Sequence, residues 1–286
     1  MSPANIDRES RPFQVLTAAE AEPLLARGAV AVDVRTASEH EDEGHIPGSV
    51  LLPLAVLSSG PAVLPDDGRP LIVYCSDGVR ARRAGRRLSE AGVENLHVLN
   101  RGLQEWKGSR DRRPSPPAGP SSWLVASTSL VPPGSRTLDV ACGRGRHALF
   151  LAAAGSMVRA IDRDPERVER LNALARRLRL PVDAEVADLE NGRANLGDGE
   201  WELILVFNYL HRPLFPSLLR ALRPGGILIY ETFTRKQGER HGRPSRPEHL
   251  LEPGELSRLV APLEVVRARE GEFDGSHVAS VAARKT

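Results

Sequence analysis

Residues 137–152 read TLDVACGRGRHALFLA. An apolar run holding one aspartate gives way to a glycine-rich turn, and the turn opens an apolar helix. Gly143 and Gly145 let the backbone approach a ligand closely. The first N–H groups of the helix then face that ligand. A strand, turn and helix of this kind belongs to a parallel α/β sheet if a strand comes next, and MVRAID (157–162) reads as one. The beat continues downstream. PERVERLNALARRLRL (165–180) is a helix with proline at its first position, and DAEVAD (183–188) and ELILVF (202–207) are strands. PLFPSLLRALRPGG (213–226) is a helix and its stop, with Pro216 confined to the first turn. ILIYETF (227–233) is a strand and PGELSRLV a helix. LEVVRARE and HVASVAARK then form an antiparallel hairpin across EGEFDGS.

Upstream the same alternation holds with different spacing. Thr17 and Glu20 make a capping box before a helix that Gly28 ends. AVAVDV (29–34), PLIVYC (70–75) and LHVL (96–99) are strands. VRARRAGRRLSEAG (79–92) is a helix, and GLQEW (102–106) begins a last one. Between the two series lies RDRRPSPPAGPSS (110–122), whose four prolines exclude a helix or a central strand. The expected organisation is therefore α/β in two domains: residues 1–112 with a parallel sheet, a linker at 113–122, and residues 123–286 with a Rossmann-like, seven-stranded sheet ending in an antiparallel hairpin.

Composition excludes other classes. The 286 residues are 41% hydrophobic, enough for real cores. Basic residues number 39 and acidic 37, so the formal charge is +2. Residues 1–112 hold 14 basic and 16 acidic side chains, and the remainder 25 and 21. Neither half is a polycation, so nucleic acid is not an expected partner. No apolar run approaches the roughly 18 residues of a membrane span. The N-terminal MSPANIDRESRPF lacks the apolar segment of a signal peptide. Two cysteines, Cys75 and Cys142, are too few for a disulfide scaffold, and a cytoplasmic protein with reduced thiols follows.

CSDGVR (75–80) puts a cysteine at a strand end, then a tight loop, then a helix. Inward N–H groups, the helix N-terminus and Arg80 all favour a thiolate or an anionic ligand. Such a cysteine taken alone is more often structural. Four separated pieces change this: Asp33-Val-Arg35, Gly44-His-Ile-Pro-Gly48, the Cys75 loop, and Gly102 through Trp106. Together they resemble the rhodanese family over residues 13–110. The resemblance implies that Cys75 carries sulfane sulfur as a persulfide and that Arg80 binds the anion. Asp33 and Arg35 would support the loop. The sulfur donor would be thiosulfate or a protein persulfide. Phosphatases of this fold use a loop one residue longer, so sulfur transfer is the expectation. Asp77 opposes both a thiolate and a dianionic donor.

The glycine loop leaves two readings open. Gly143, Gly145 and Ala148 fit the dinucleotide fingerprint G-x-G-x-x-A, or the loop binds S-adenosylmethionine. Asp139, Asp162 and Asp188 lie in or after three successive strands, and the chain resembles class I methyltransferases over residues 123–286. The resemblance implies S-adenosylmethionine as cofactor, with Asp139 near its methionine end, Asp162 on the ribose hydroxyls and Asp188 on the adenine amino group. Asp164 is read as the cap of the following helix and Cys142 as a turn residue. No metal site is expected.

The acceptor side should lie over FNYLHRP (207–213) and YETF (230–233). Asn208 there joins the cofactor set and, with His211, is also a candidate for acceptor contact. Tyr209, Arg212 and Glu231 are candidates for acceptor contact, and His211 is a candidate base or a local hydrogen-bonding residue. The basic stretch RKQGERHGR (235–243) reads as a mobile lid, an anion contact or a plain solvated loop. NYLHRP and ETF resemble small bacterial methyltransferases of the tellurite-resistance type. That resemblance implies a small acceptor: a thiol, sulfide or chalcogen oxyanion. The alternatives are an RNA-modifying fusion of thiolation and methylation, or a methyltransferase with a rhodanese module used only for docking.

Overall fold

VAVD and LIVY are buried along their whole length, as the middle strands of a sheet covered on both faces must be. The computed structural model describes residues 13–57, 64, 68–112, 119–192 and 195–286. The described residues divide into two compact units, the second beginning at Gly119. Residues 1–12 and most of the expected linker, 113–118, lie outside the described residues.

The first unit runs β1 (Gln14–Leu16), α1 (Ala18–Ala26), β2 (Val30–Asp33), α2 (Ala37–Asp42), β3 (Val50–Leu51), α3 (Leu54–Leu57), β4 (Leu71–Tyr74), α4 (Val79–Glu90) and β5 (Leu96–Leu99). Its strands form one parallel sheet in the order β1-β5-β4-β2-β3. The Thr17–Glu20 capping box starts α1, and a second one, Thr36–Glu39, starts α2. GLQEW does not begin a helix. It is a single 3-10 turn over Gly102–Gln104, and the N–H groups of Leu103 and Gln104 reach the carbonyls of Cys75 and Ser76.

The second unit runs α5 (Ser122–Ser127), β6 (Arg136–Val140), α6 (Arg146–Ala153), β7 (Met157–Asp162), α7 (Pro165–Leu178), β8 (Val182–Val186), β9 (Trp201–Phe207), α8 (Phe215–Ala221), β10 (Leu222–Phe233), α9 (Arg235–His241), α10 (Glu255–Leu259), β11 (Glu264–Phe273) and β12 (Ser276–Arg284). Seven strands pair in the order β11-β12-β10-β9-β6-β7-β8. β12 lies antiparallel between β10 and β11, and the rest of the ladder from β10 to β8 is parallel. The hairpin turn is tighter than the expected EGEFDGS. It is Asp274–Gly275 alone, with φ of +51° and +72°, as a two-residue turn matched to strand twist requires.

Two segments differ from expectation. Ser121 and Ser122, placed at the end of the linker, begin α5 instead. Ser121 Oγ accepts the Trp123 N–H at 3.1 Å, and the indole of Trp123 donates to the Val281 carbonyl at 3.3 Å. RKQGERHGR forms α9, fixed by Gln237, whose Oε1 accepts the His277 N–H at 2.7 Å.

Strand order reverses at β6: β7 and β8 lie on one side, β9 and β10 on the other. The loops after β6 and β9 leave the sheet in opposite directions and open a crevice at their carboxyl ends.

Candidate functional site

The glycine loop enters that crevice through an uncommon backbone. Ala141, Gly143 and Gly145 have φ of +56°, +59° and +75°. A Cβ at Gly145 would stand 2.3 Å from a methyl of Leu171, so glycine there lets α7 pack against the loop. A Cβ at Gly143 would meet nothing within 4 Å, so the space beside its Cα is open to a ligand. Asp162, at the end of β7, takes the Gly143 N–H on Oδ2 at 2.7 Å and the Asp164 N–H on Oδ1 at 3.0 Å. The acid expected to bind a ligand therefore also shapes the loop. Asp164 caps α7, accepting from Glu166 and Arg167.

Asp139 is buried in β6 and accepts the Ala148 N–H at 3.1 Å. Burial pushes its carboxyl up to about 7, against the pull of that N–H and of Arg146. Asp188 is exposed just beyond β8, and one oxygen accepts the Glu190 N–H at 2.9 Å. Asn208 follows β9 at φ +55° and donates its N–H to the Glu231 carbonyl at 2.9 Å. Asp139, Gly143, Gly145, Asp162, Asp188 and Asn208 thus occupy the carboxyl edge of four adjacent strands. An ammonium, a pair of hydroxyls and an exocyclic amine can each find a carboxylate there. Cys142 lies buried in the turn, and burial pushes its thiol far above the ordinary range. It is a turn residue held protonated.

On the acceptor side the expected residues separate. His211 is half-buried beside this edge, and its carbonyl accepts the Leu214 N–H. Arg212 is committed elsewhere: it grips Glu255 at 2.7 and 2.9 Å and the carbonyls of Glu248 and Leu250. Glu231 is buried and receives Ser121 Oγ and Ser280 Oγ, each at 2.7 Å, and Arg269 at 2.9 Å. These two residues tie distant segments of the fold together. Tyr209 lies near Glu190 and Asp188, and burial with those charges raises its phenol. Sequence reasoning missed His147. Its ring stacks on Phe207 at 4.0 Å and accepts the Ser121 N–H on Nε2 at 3.3 Å. Burial holds that ring neutral.

In the first unit the loop after β4 carries Cys75, which is fully buried. Its Sγ accepts the Gly78 N–H at 3.1 Å and donates to Asp77 Oδ1 at 3.4 Å. The segment after β5 locks this loop. A Cβ at Gly78 would lie 1.8 Å from the Asn100 carbonyl oxygen, and one at Gly102 would lie 1.9 Å from that of Cys75. The glycines permit the contact, which explains why the Gly102 segment accompanies the cysteine loop.

Asp33 and Arg35 form a buried pair under the loop, with distances of 3.0 and 2.7 Å. Burial alone would raise Asp33, but hydrogen bonds from His40 and Arg35 outweigh it and hold the acid below its ordinary value. Arg35 also binds the Gly44 carbonyl, and His40 stacks on His45 at 3.6 Å. Tyr74 receives the Ile46 N–H and donates to Ser49. The two N-terminal motifs are thus one hydrogen-bonded support. Arg80 faces Glu39, giving Nη1 at 2.7 Å and Nη2 at 2.5 Å. The pattern Thr36-x-x-Glu39 was the available sequence signal for that partner, as a capping box.

Two family models match the chain. Residues 17–109 match a rhodanese-like domain and residues 137–226 a methyltransferase domain. The chain is 32% identical over 137 residues to a ubiquinone biosynthesis O-methyltransferase of Xanthomonas axonopodis pv. citri, covering 46% of this chain and 56% of that protein. It is 35% identical over 95 residues to hemagglutinin 1 of Eikenella corrodens, covering 32% of each. The chain thus spans 32% to 56% of the length of these relatives. Among solved structures, TehB from Haemophilus influenzae aligns with 64% of this chain and 65% of its own at 18% identity, with a TM-score of 0.48. This chain carries a rhodanese-like domain followed by a methyltransferase domain.

Proposed function

We propose that the second unit is an S-adenosylmethionine-dependent methyltransferase acting on a small sulfur or chalcogen nucleophile, and that the first unit carries sulfane sulfur on Cys75. The observation behind the first part is the open space at Gly143, inside an edge where Asp139, Asp162 and Asp188 succeed one another. S-adenosylmethionine supplies an electrophilic methyl group when bound. Asp162 offers its remaining lone pairs to the ribose hydroxyls, Asp188 its free oxygen to the adenine amine, and Asp139 a negative charge to the ammonium. Asn208 and His211 line the side from which an acceptor approaches. A thiolate or chalcogenide needs positioning and exclusion of water more than a base.

A panel of sulfide, small thiols, selenite, tellurite and tRNA with methyl-labelled cofactor tests the acceptor. Label in a volatile sulfide, selenide or telluride supports the reading, and label in tRNA alone refutes it. Full burial of Cys75 favours a second reading, in which the first unit only docks a partner. A mass gain of about 32 Da on Cys75 that a thiol reductant removes, one sulfur atom rather than the two oxygens of a sulfinic acid, excludes a purely docking role.

A further inference from the structure

We propose that Glu39 sets the donor specificity of the Cys75 loop, turning it from dianionic inorganic sulfur donors toward thiol persulfides. This rests on Cys75 being the sulfur carrier. Arg80 is the guanidinium expected to receive an anion, and both its Nη groups already meet one carboxylate, at 2.7 and 2.5 Å. Its Nη2 also reaches Ser76 Oγ at 3.3 Å. A fork-to-fork pair of this kind is the stronger sort of charged hydrogen bond.

Glu39 is not a loose surface side chain. It is the third residue of α2, and its Oε2 also accepts the Thr36 N–H at 3.0 Å and Thr36 Oγ1 at 2.9 Å. Ser76 Oγ adds a contact to Oε1 at 3.5 Å. The cap that starts α2 therefore holds the carboxylate against the loop. Arg80 keeps Glu39 ionised, with its carboxyl lowered to about 2. Asp77 places a second carboxylate 3.4 Å from Sγ, and the Val79 N–H favours its ionised form.

One carboxylate, Asp77, thus stands beside the sulfur, and a second, Glu39, already occupies the guanidinium of the same loop. Thiosulfate, with two negative charges, must either displace Glu39 from Arg80 or sit beside carboxylates. A thiol persulfide needs neither. The Cys75 thiol releases to solvent the proton it now donates toward Asp77 Oδ1, and the resulting thiolate attacks the terminal sulfur of R–S–SH. A new Sγ–S bond forms, the R–S–S bond breaks, and the thiolate R–S⁻ leaves with the electron pair. The transferred sulfur keeps its proton, and the Gly78 N–H that now bonds Sγ at 3.1 Å remains to steady the product.

The experiment uses the full chain and follows Cys75 loading by mass, with thiosulfate, cysteine persulfide and a persulfidated cysteine peptide as donors. Wild type should load from either persulfide about tenfold faster than from thiosulfate, and the faster of the two persulfides identifies a small or a polypeptide source. Glu39→Gln keeps a residue that serves in a capping box but removes the charge. It should raise the thiosulfate-to-persulfide ratio about tenfold. Thiosulfate loading wild type as fast as the persulfides overturns the proposal. So does a ratio that falls or stays fixed in Glu39→Gln, the outcome of a merely structural or Arg80-positioning role. If no donor adds sulfur to wild-type Cys75, the carrier reading itself fails.

Discussion

Asp139 is an acid buried in β6, where its charge is at odds with its surroundings. Its carboxyl is raised from 3.8 to about 7 by burial. The folded chain therefore holds a proton that the unfolded chain releases above pH 4. Stability from this group is complete below that pH and is lost as pH rises to about 7. The full swing is about 4 kcal/mol. Asp139→Asn should melt at a higher temperature than wild type at pH 8 and at the same temperature near pH 4. Equal melting differences at both pH values would remove Asp139 as the cause. Binding of an ammonium beside it should also release a proton near neutral pH, visible as a buffer-dependent binding heat. A second residue-scale test is Gly102→Ala. Its Cβ would lie 1.9 Å from the Cys75 carbonyl oxygen, at φ +54°. The expected cost is at least about 2 kcal/mol, with loss of Cys75 loading. Denaturant midpoints check the first part.

At the scale of elements, the long periodic segments were legible in the sequence. Strands β6, β7 and β9 are apolar runs bounded by glycines or polar turns, and α7 carries both its proline and its cap, Asp164. Asp164→Ala should lower stability by about 1 kcal/mol, as loss of an N-cap does, without moving cofactor affinity beyond twofold. Chemical denaturation and calorimetry on the same variant separate the two. The missed elements share a reason. β1 has three residues and β3 two, too few to show a period, and they are held by their neighbours in the sheet. α9 reads as a loop because its sequence has no apolar stripe, and tertiary contact through Gln237 fixes it. At the site, the strand-end acids were legible because a strand's end fixes where its side chain emerges. The commitments of Arg212 and Glu231 were not, because Glu255, Ser280 and Arg269 are distant in sequence.

At the scale of the whole molecule, 39 basic residues nearly balance 37 acidic ones, and many arginines are already paired. Affinity for nucleic acid comes mostly from phosphate contacts. A tRNA gel-shift at physiological salt should therefore show no retarded band at micromolar protein, and a salt-sensitive shift would revive the RNA-modifying alternative. Among the described residues no helix is long and apolar enough to cross a membrane. The two cysteines divide between the units. Cys75 accepts the Gly78 N–H and lies beside Asp77, and Cys142 is buried in a turn with its thiol held protonated.

The central claim is that the edge joining Asp139, Gly143, Asp162 and Asp188 binds S-adenosylmethionine. Isothermal calorimetry of the full chain tests it most directly. The account predicts one site per chain, with affinity weakened at least about tenfold by Asp162→Ala, a loss of about 1.4 kcal/mol. No binding heat with the wild-type chain, or unchanged affinity in Asp162→Ala, would contradict it.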